Sequence, residues 1–317
     1  MMKIVILDTQ TLTGEDLDWA ALDGLGERQV FAHTTPDQLL DRAAGAEVLL
    51  TNKVRLSAET LAQLPQLRYV GVTATGYDMV DLDAARQQGI VVTNAAGYGT
   101  EAVAQHVFAL LLALTNQVAR HSADVHQGGW TQQGSWTYRL TPLQALTGMT
   151  LGIVGLGRIG QAAGRLGAAF GMRVLGHSRR PHDLPGIEGV GELATLLAQS
   201  DVVSLHCPLT AETQGLLDAK RLALMKPSAY LINTARGPLI DEVALAEALR
   251  QGRLAGAGLD VLSQEPPPAD HPLVGLPQCL ITPHNAWGAQ SARQRLIDQA
   301  ADNLRAWQAG KPQGVVT

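Results

Sequence analysis

Three glycines, an arginine, a glutamate and a histidine are the residues whose types and spacing in this sequence could do chemistry. Gly155, Gly157 and Gly160 stand in VGLGRIG, with Arg158 and Ile159 between the second and third. In such a GxGxxG run the first glycine permits a tight turn. The second lets backbone approach a diphosphate, and the third lets a helix pack closely on the preceding strand. The first turn of that helix then offers N–H groups and a partial positive charge to the phosphates. The apolar run LGIV before the turn and the helical pattern after it supply the context the motif requires. The chemistry implied is dinucleotide binding, the alternative being a structural turn that merely needs small residues.

About twenty residues past such a turn an acidic side chain normally holds the ribose 2'-hydroxyl of NAD. Here VLGHSRR places Ser178, Arg179 and Arg180 in that region. An acid would repel a 2'-phosphate, whereas a small hydroxyl followed by two guanidinium groups attracts one. This predicts NADP(H) as the preferred cofactor, with NAD(H) possible; solvated loop charges are the plainer reading of a short basic run.

The other chemical groups follow later apolar runs. Thr234, Ala235 and Arg236 follow LIN, Asp260 follows GAGL with Glu265 soon after, and Pro283 and His284 follow CLIT. Ligands of open α/β sheets bind beyond the carboxyl ends of the strands. Arg236, Glu265 and His284 therefore converge on one sheet edge. A cation there binds a carboxylate and polarises a neighbouring carbonyl, an imidazolium supplies a proton as hydride arrives, and a carboxylate holds the imidazole. Singly, each has a plain reading: a loop histidine, an arginine tied to solvent, an exposed acid before prolines.

The elements that must position these groups alternate regularly. Short apolar runs at 3–8, 47–51, 68–73 and 90–93 read as buried strands, with helices expected at 37–43, 57–63 and 81–88. A long helical pattern covers 100–121, with Thr100 able to cap it and Glu101 in its first turn. Residues 122–148, carrying Trp130, Trp136 and Tyr138, read as irregular. A second alternation follows, with strands expected at 150–154, 172–177, 201–205, 229–233, 255–259 and 279–282. Its helices are expected at 158–170, 192–198, 218–224, 241–250 and 289–309. Two blocks of βα units define an α/β class with parallel sheets.

Composition narrows the function classes. The chain has 317 residues, enough for two domains, with 46% hydrophobic residues and a net charge of −5. No basic face for nucleic acid is expected. Cys207 and Cys279 are the only cysteines, which fits a reducing, cytoplasmic setting. The N-terminal apolar run is short for a signal peptide, and Gln105, His106, Asn116 and Gln117 interrupt the most apolar stretch, so no membrane partner is expected.

VGLGRIG, INTARGPLIDEVALAEAL, GLDVLSQEPPP and ITPHNAW together resemble the D-isomer-specific 2-hydroxyacid dehydrogenase family, over essentially the whole chain. The resemblance implies two Rossmann-like, doubly wound parallel-sheet domains with an active-site cleft between them. A discontinuous substrate domain would comprise 1–98 and 290–317, and a dinucleotide domain 99–289. It implies that Arg236 binds the substrate carboxylate and carbonyl, that His284 is the acid/base and that Glu265 is its partner. Asp260 would accept from the nicotinamide carboxamide, Cys207 and Pro208 would lie near the adenine, and Thr213 near the phosphates. Ala74, Thr75 and Gly76 of TATG would hold the substrate carboxylate through backbone N–H groups, with Lys53 close by. No metal is implied. TNKV, VTATGYD, EPPPADHPL and PHNAWG look most like the glyoxylate/hydroxypyruvate reductase, or glycerate dehydrogenase, branch. The family pattern further implies a homodimer through 100–148, with Trp136 a candidate to reach the neighbour's site or to pack at the interface. A cofactor-sensing, corepressor-like interaction protein is the alternative on the same fold.

Overall fold

The computed structural model describes residues 1–12, 16–179 and 184–317. Arg180, one of the expected cofactor residues, lies outside the described residues. The chain divides into two compact units, Met1–Gly99 with Trp287–Thr317, and Thr100–Ala286.

The first unit is built on strands β1 (Lys3–Ile6), β2 (Glu27–Val30), β3 (Val48–Thr51), β4 (Tyr69–Val72) and β5 (Val91–Asn94), all parallel, in the order β2-β1-β3-β4-β5. Helices α1 (Leu39–Ala43), α2 (Ala58–Ala62) and α3 (Leu82–Gln87) make the crossovers. Ser57 and Asp81 cap α2 and α3 by accepting the N–H groups of Thr60 and Ala84. Four strands fall within the expected runs or one residue from them. The fifth, β2, was not expected: all four of its residues are exposed on the sheet edge, so no apolar pattern marks them.

The second unit opens with α4 (Thr100–Asn116), α5 (Val118–His126) and α6 (Gly129–Gln133). The single helix expected over 100–121 is interrupted at Gln117, which takes a left-handed φ of 47°; α4 and α5 diverge by 53° there. The stretch expected to be irregular begins with helix. Then come β6 (Thr150–Val154), α7 (Arg158–Ala169), β7 (Arg173–His177), β8 (Glu188–Gly189), α8 (Leu193–Gln199), β9 (Val202–Leu205), α9 (Ala219–Leu222), β10 (Tyr230–Asn233), α10 (Glu242–Arg250), β11 (Gly256–Leu259) and β12 (Cys279–Ile281). The sheet is parallel throughout, in the order β12-β11-β10-β9-β6-β7-β8. Its two faces bury different clusters, as strand alternation requires. Val203 and Leu231 pack with Leu196, Leu222 and Leu249 on one face. Val202 and Ile232 pack with Val107, Leu111 and Ala163 on the other. Both faces are covered by helices, the doubly wound arrangement.

Helix α11 (Gln290–Gln308) returns the chain to the first unit, where Ala301, Leu304 and Trp307 pack on Ile4, Val48 and Tyr69. The last residues bridge β5, Val315 opposite Thr93, with the Val316 N–H donating to Val92 O. Among the described residues no single helix is long and apolar enough to cross a membrane.

Candidate active site

In the second unit's sheet, strand order reverses between β6 and β9, and the glycine turn sits at that reversal. Gly155 has a φ of +100°, and a Cβ there would lie 2.6 Å from the Cys207 N. A Cβ on Gly160 would lie 2.0 Å from Gly155 O, so the start of α7 presses directly on the turn. Gly157 differs: nothing lies within 4 Å of where its Cβ would be, and it caps α7 without any side-chain hydrogen bond. The turn is thus filled by protein at two glycines and open at the middle one. The Gly155 N–H donates to His177 O at 2.9 Å, and Gln161 Nε2 donates to Leu156 O at 2.9 Å, fixing the loop. Arg158 is exposed and Ile159 half-buried. The turn has the shape of a dinucleotide-binding glycine loop, with open space at Gly157, the position where such loops let a diphosphate approach the backbone.

Ser178 follows β7 half-buried, and Arg179 is exposed beside it. The Thr210 hydroxyl and the chain's own backbone hold the Glu212 carboxyl below its ordinary value, with a smaller contribution from the charge of Arg179. Glu212 stands in the loop after β9. That loop is shaped by Thr213, whose hydroxyl donates to Pro208 O at 2.7 Å and accepts the Thr210 N–H at 2.7 Å. Cys207 is half-buried, and burial raises its thiol pKa. His206 beside it is pushed down to about 4 by burial, with its Nε2 2.8 Å from Ser204 Oγ. It is therefore neutral at pH 7.

The groups after β10, β11 and β12 form one connected arrangement. Asn233 Nδ2 donates to Arg236 O at 2.8 Å and Asn233 Oδ1 accepts the Ala235 N–H at 3.0 Å, so the arginine turn is folded over its own strand end. Arg236 Nη1 donates to Ala235 O at 2.8 Å. A Cβ on Gly237 would lie 2.0 Å from Leu262 C, which brings this turn against the segment leading to Glu265. Thr234 Oγ1 is buried with no partner among the described residues. A buried hydroxyl left unpaired at the end of β10 is an unmet hydrogen-bonding demand that a bound nucleotide could meet.

Glu265 accepts the Leu262 N–H at 3.1 Å through Oε1, and its Oε2 stands 2.6 Å from His284 Nδ1. With Glu265 ionised, Nδ1 carries a proton and donates it. His284 takes a left-handed φ of 51°, uncommon for any residue but glycine. Its N–H is held by both Asp260 O at 2.8 Å and Thr282 O at 2.9 Å. The Asp260 side chain is 1% exposed. Its carboxylate accepts from Thr282 Oγ1 at 2.6 Å and from the N–H groups of Asn285 and Ala286 at 3.0 and 2.9 Å. Asp260 thus braces the whole His284 loop, whatever else it contacts. Sequence reasoning singled out neither Thr282 nor His106 for this network; His106 Nε2 lies 3.0 Å from Thr282 Oγ1. Thr282 had a weak signal, two places before His284. His106 had none, because it reads as a polar interruption of an apolar helix.

The first unit carries Lys53, Ala74, Thr75 and Gly76. The exposed Lys53 follows β3, and its N–H donates to Asp8 Oδ2 at 2.5 Å. Burial raises the pKa of Asp8, against the hydrogen bonds it accepts. Thr75 Oγ1 donates to Ala95 O at 3.1 Å and Asn94 Nδ2 to Thr75 O at 2.7 Å, while the Ala95 N–H donates to Ala74 O at 3.1 Å. Among the described residues the Thr75 and Gly76 N–H groups have no backbone carbonyl acceptor.

A glycine cradle at the reversal of a parallel sheet, with an imidazole–carboxylate pair at later strand ends, defines an NAD(P)-dependent oxidoreductase of the Rossmann type. Residues 108–286 match the D-isomer specific 2-hydroxyacid dehydrogenase, NAD binding domain. A hydroxypyruvate reductase of Blautia hydrogenotrophica is 42% identical over 322 aligned positions, covering 99% of each chain. A crystal structure of a Thermus thermophilus protein is 42% identical, covers both chains fully and superimposes with a TM-score of 0.89. An NADPH-dependent glyoxylate/hydroxypyruvate reductase from Sinorhizobium meliloti, solved with NADP and malonate, is 30% identical, with a TM-score of 0.84 and coverage of 100% and 97%. The chain belongs to the D-isomer specific 2-hydroxyacid dehydrogenase family. It is an NAD(P)-dependent 2-oxo acid reductase with that family's two-domain Rossmann fold.

Proposed function

We propose that the protein reduces a small 2-oxo acid, glyoxylate or hydroxypyruvate, to glycolate or D-glycerate, with NADPH preferred over NADH. The observation that carries this reading is the 2.6 Å pairing of Glu265 with His284, held on a left-handed backbone by Asp260. The names of the Blautia and Sinorhizobium relatives support the substrates, and the Sinorhizobium enzyme supports the cofactor.

What a reduced nicotinamide supplies when bound is hydride for the carbonyl carbon. Gly155, Gly157, Gly160, Arg158 and Ile159 would hold its diphosphate, and Ser178 with Arg179 and Arg180 its 2'-phosphate. Cys207, Pro208, Thr213, Thr234, Ala235 and Asp260 would line the rest. Arg236 binds the substrate carboxylate and draws electron density from the carbonyl. His284 Nε2 gives its proton to the carbonyl oxygen, and Glu265 keeps the imidazole oriented and stabilises its charged form. In the first unit, Lys53 and the N–H groups of Ala74, Thr75 and Gly76 receive the carboxylate of the substrate. Exposed Val118, Trp130 and Trp136, the last 97% exposed, support dimerisation through the 100–148 region.

A matrix of kcat/KM for both acids with both nucleotides tests the reading. NADPH with glyoxylate or hydroxypyruvate should give the highest values. A preference for NADH overturns the cofactor assignment, and silence with both acids overturns the substrate. Sedimentation analysis checks the dimer, which a charged residue at Val118 should weaken.

A further inference from the structure

His106 lies on the face of α4 that covers β11, among Val103, Val107 and Leu110, all buried. An apolar residue would serve packing there equally well. Its imidazole instead places Nε2 3.0 Å from Thr282 Oγ1 and 3.6 Å from Asp260 Oδ1. The Thr282 hydroxyl has one proton, and it donates that proton to Asp260 Oδ1 at 2.6 Å. The contact with His106 therefore has the reverse sense: His106 Nε2 carries a proton and donates it to Thr282 Oγ1. The result is a directed chain, imidazole N–H to hydroxyl to carboxylate, in which each bond polarises the next. It ends on the side chain that accepts the N–H groups of Asn285 and Ala286 and whose main-chain carbonyl accepts that of His284.

We propose that His106 is a positioning residue for the reduction, acting through Thr282 and Asp260 to fix the loop that carries His284. It touches neither reactant. It orders the Thr282 hydroxyl, so that Asp260 keeps its third donor and the loop keeps its left-handed turn. Without it the hydroxyl rotates, a buried carboxylate loses part of its hydrogen bonding, and Nε2 of His284 spreads over more positions. The proposal rests on His284 being the acid/base, but its structural arm does not.

Three variants of the full-length protein, His106→Ala, His106→Gln and Thr282→Val, test it by amide hydrogen exchange and by kinetics. In His106→Ala and Thr282→Val, exchange over 282–287 should quicken about tenfold, the size expected for one lost hydrogen bond, with β6 and β9 unchanged. In both, kcat for glyoxylate reduction should fall about 10- to 100-fold, while KM for glyoxylate stays within about twofold. His106→Gln, whose amide nitrogen can stand where Nε2 stands, should recover both properties. Unchanged exchange in His106→Ala, or a His106→Gln variant no better than His106→Ala, overturns the proposal. If the wild-type protein reduces neither acid, the functional reading falls alone, and exchange still decides the role of His106.

Discussion

The two halves of the second unit's sheet build their chemistry by opposite means. On the β6–β7 side the site is made by leaving atoms out: Gly155 and Gly160 sit where any Cβ would collide with backbone, and Gly157 sits beside open space. On the β10–β12 side the site is made by putting polar atoms in, with Glu265, His284 and Asp260 joined by short hydrogen bonds and backbone donors. One half fails when something is added and the other when something is removed. The lesson is that recognition of a diphosphate can rest on backbone shape, whereas moving a proton needs a side chain held in one orientation.

The largest test of the contrast removes an atom set from the polar half. His284→Ala should lower kcat by about 10²- to 10⁴-fold, with NADPH affinity within about threefold of wild type. Normal turnover would dissolve the distinction between the halves. Next comes addition to the bare half. Gly160→Val should cost about 1–3 kcal/mol of stability, read from denaturant unfolding, and abolish nucleotide binding by fluorescence titration. Gly157→Ala sharpens the point: it should fold with unchanged Tm yet bind nucleotide poorly, because its methyl group occupies only the space a diphosphate needs. Equal losses of stability in both glycine variants would show that the two positions are not differently used.

A smaller effect is expected from Arg179→Ala combined with Arg180→Ala. KM for NADPH should rise about tenfold and KM for NADH little, since one charge-assisted contact to a phosphate is lost. Equal rises would remove these side chains from the 2'-phosphate. The smallest effect concerns His206. Burial holds it down to about 4, against an ordinary value of 6.5. The unfolded chain therefore takes up a proton before the folded one does. The contribution to stability is full above pH 6.5 and is lost as pH falls towards 4. His206→Asn should flatten the dependence of unfolding free energy on pH in that window, by about 1–3 kcal/mol at its lower end. An unchanged slope would show that His206 is not the group responsible.

Most of the fold is legible in the sequence because parallel strands buried on both faces are written as continuous apolar runs. β3, VLLT, and β10, YLIN, are buried at every position and stand out for that reason. β2 does not, because an exposed edge strand needs no apolar side chains. The break at Gln117 was also hidden, since a single residue of left-handed backbone leaves the hydrophobic period on either side almost intact. At the site, Arg236, Glu265 and His284 were legible by position, each following a strand of the same sheet. The support beneath them was not. Thr282 and His106 lie 176 residues apart in the chain, and their meeting depends on how α4 lies over β11, which no local pattern encodes.

The return of α11 to the first unit has a consequence for the order in which the protein can be made. The cluster beneath Tyr69 and Val48 is completed by Ala301, Leu304 and Trp307, and β5 is bridged by Val315. A chain leaving the ribosome therefore exposes the first unit's unfinished apolar face until residues 301–315 are synthesised. The second unit, contained within Thr100–Ala286, has by then all of its own core. The first unit's sheet thus begins to emerge before the second unit and is completed after it, and removal of residues 301–317 should strike that sheet before it reaches the glycine turn.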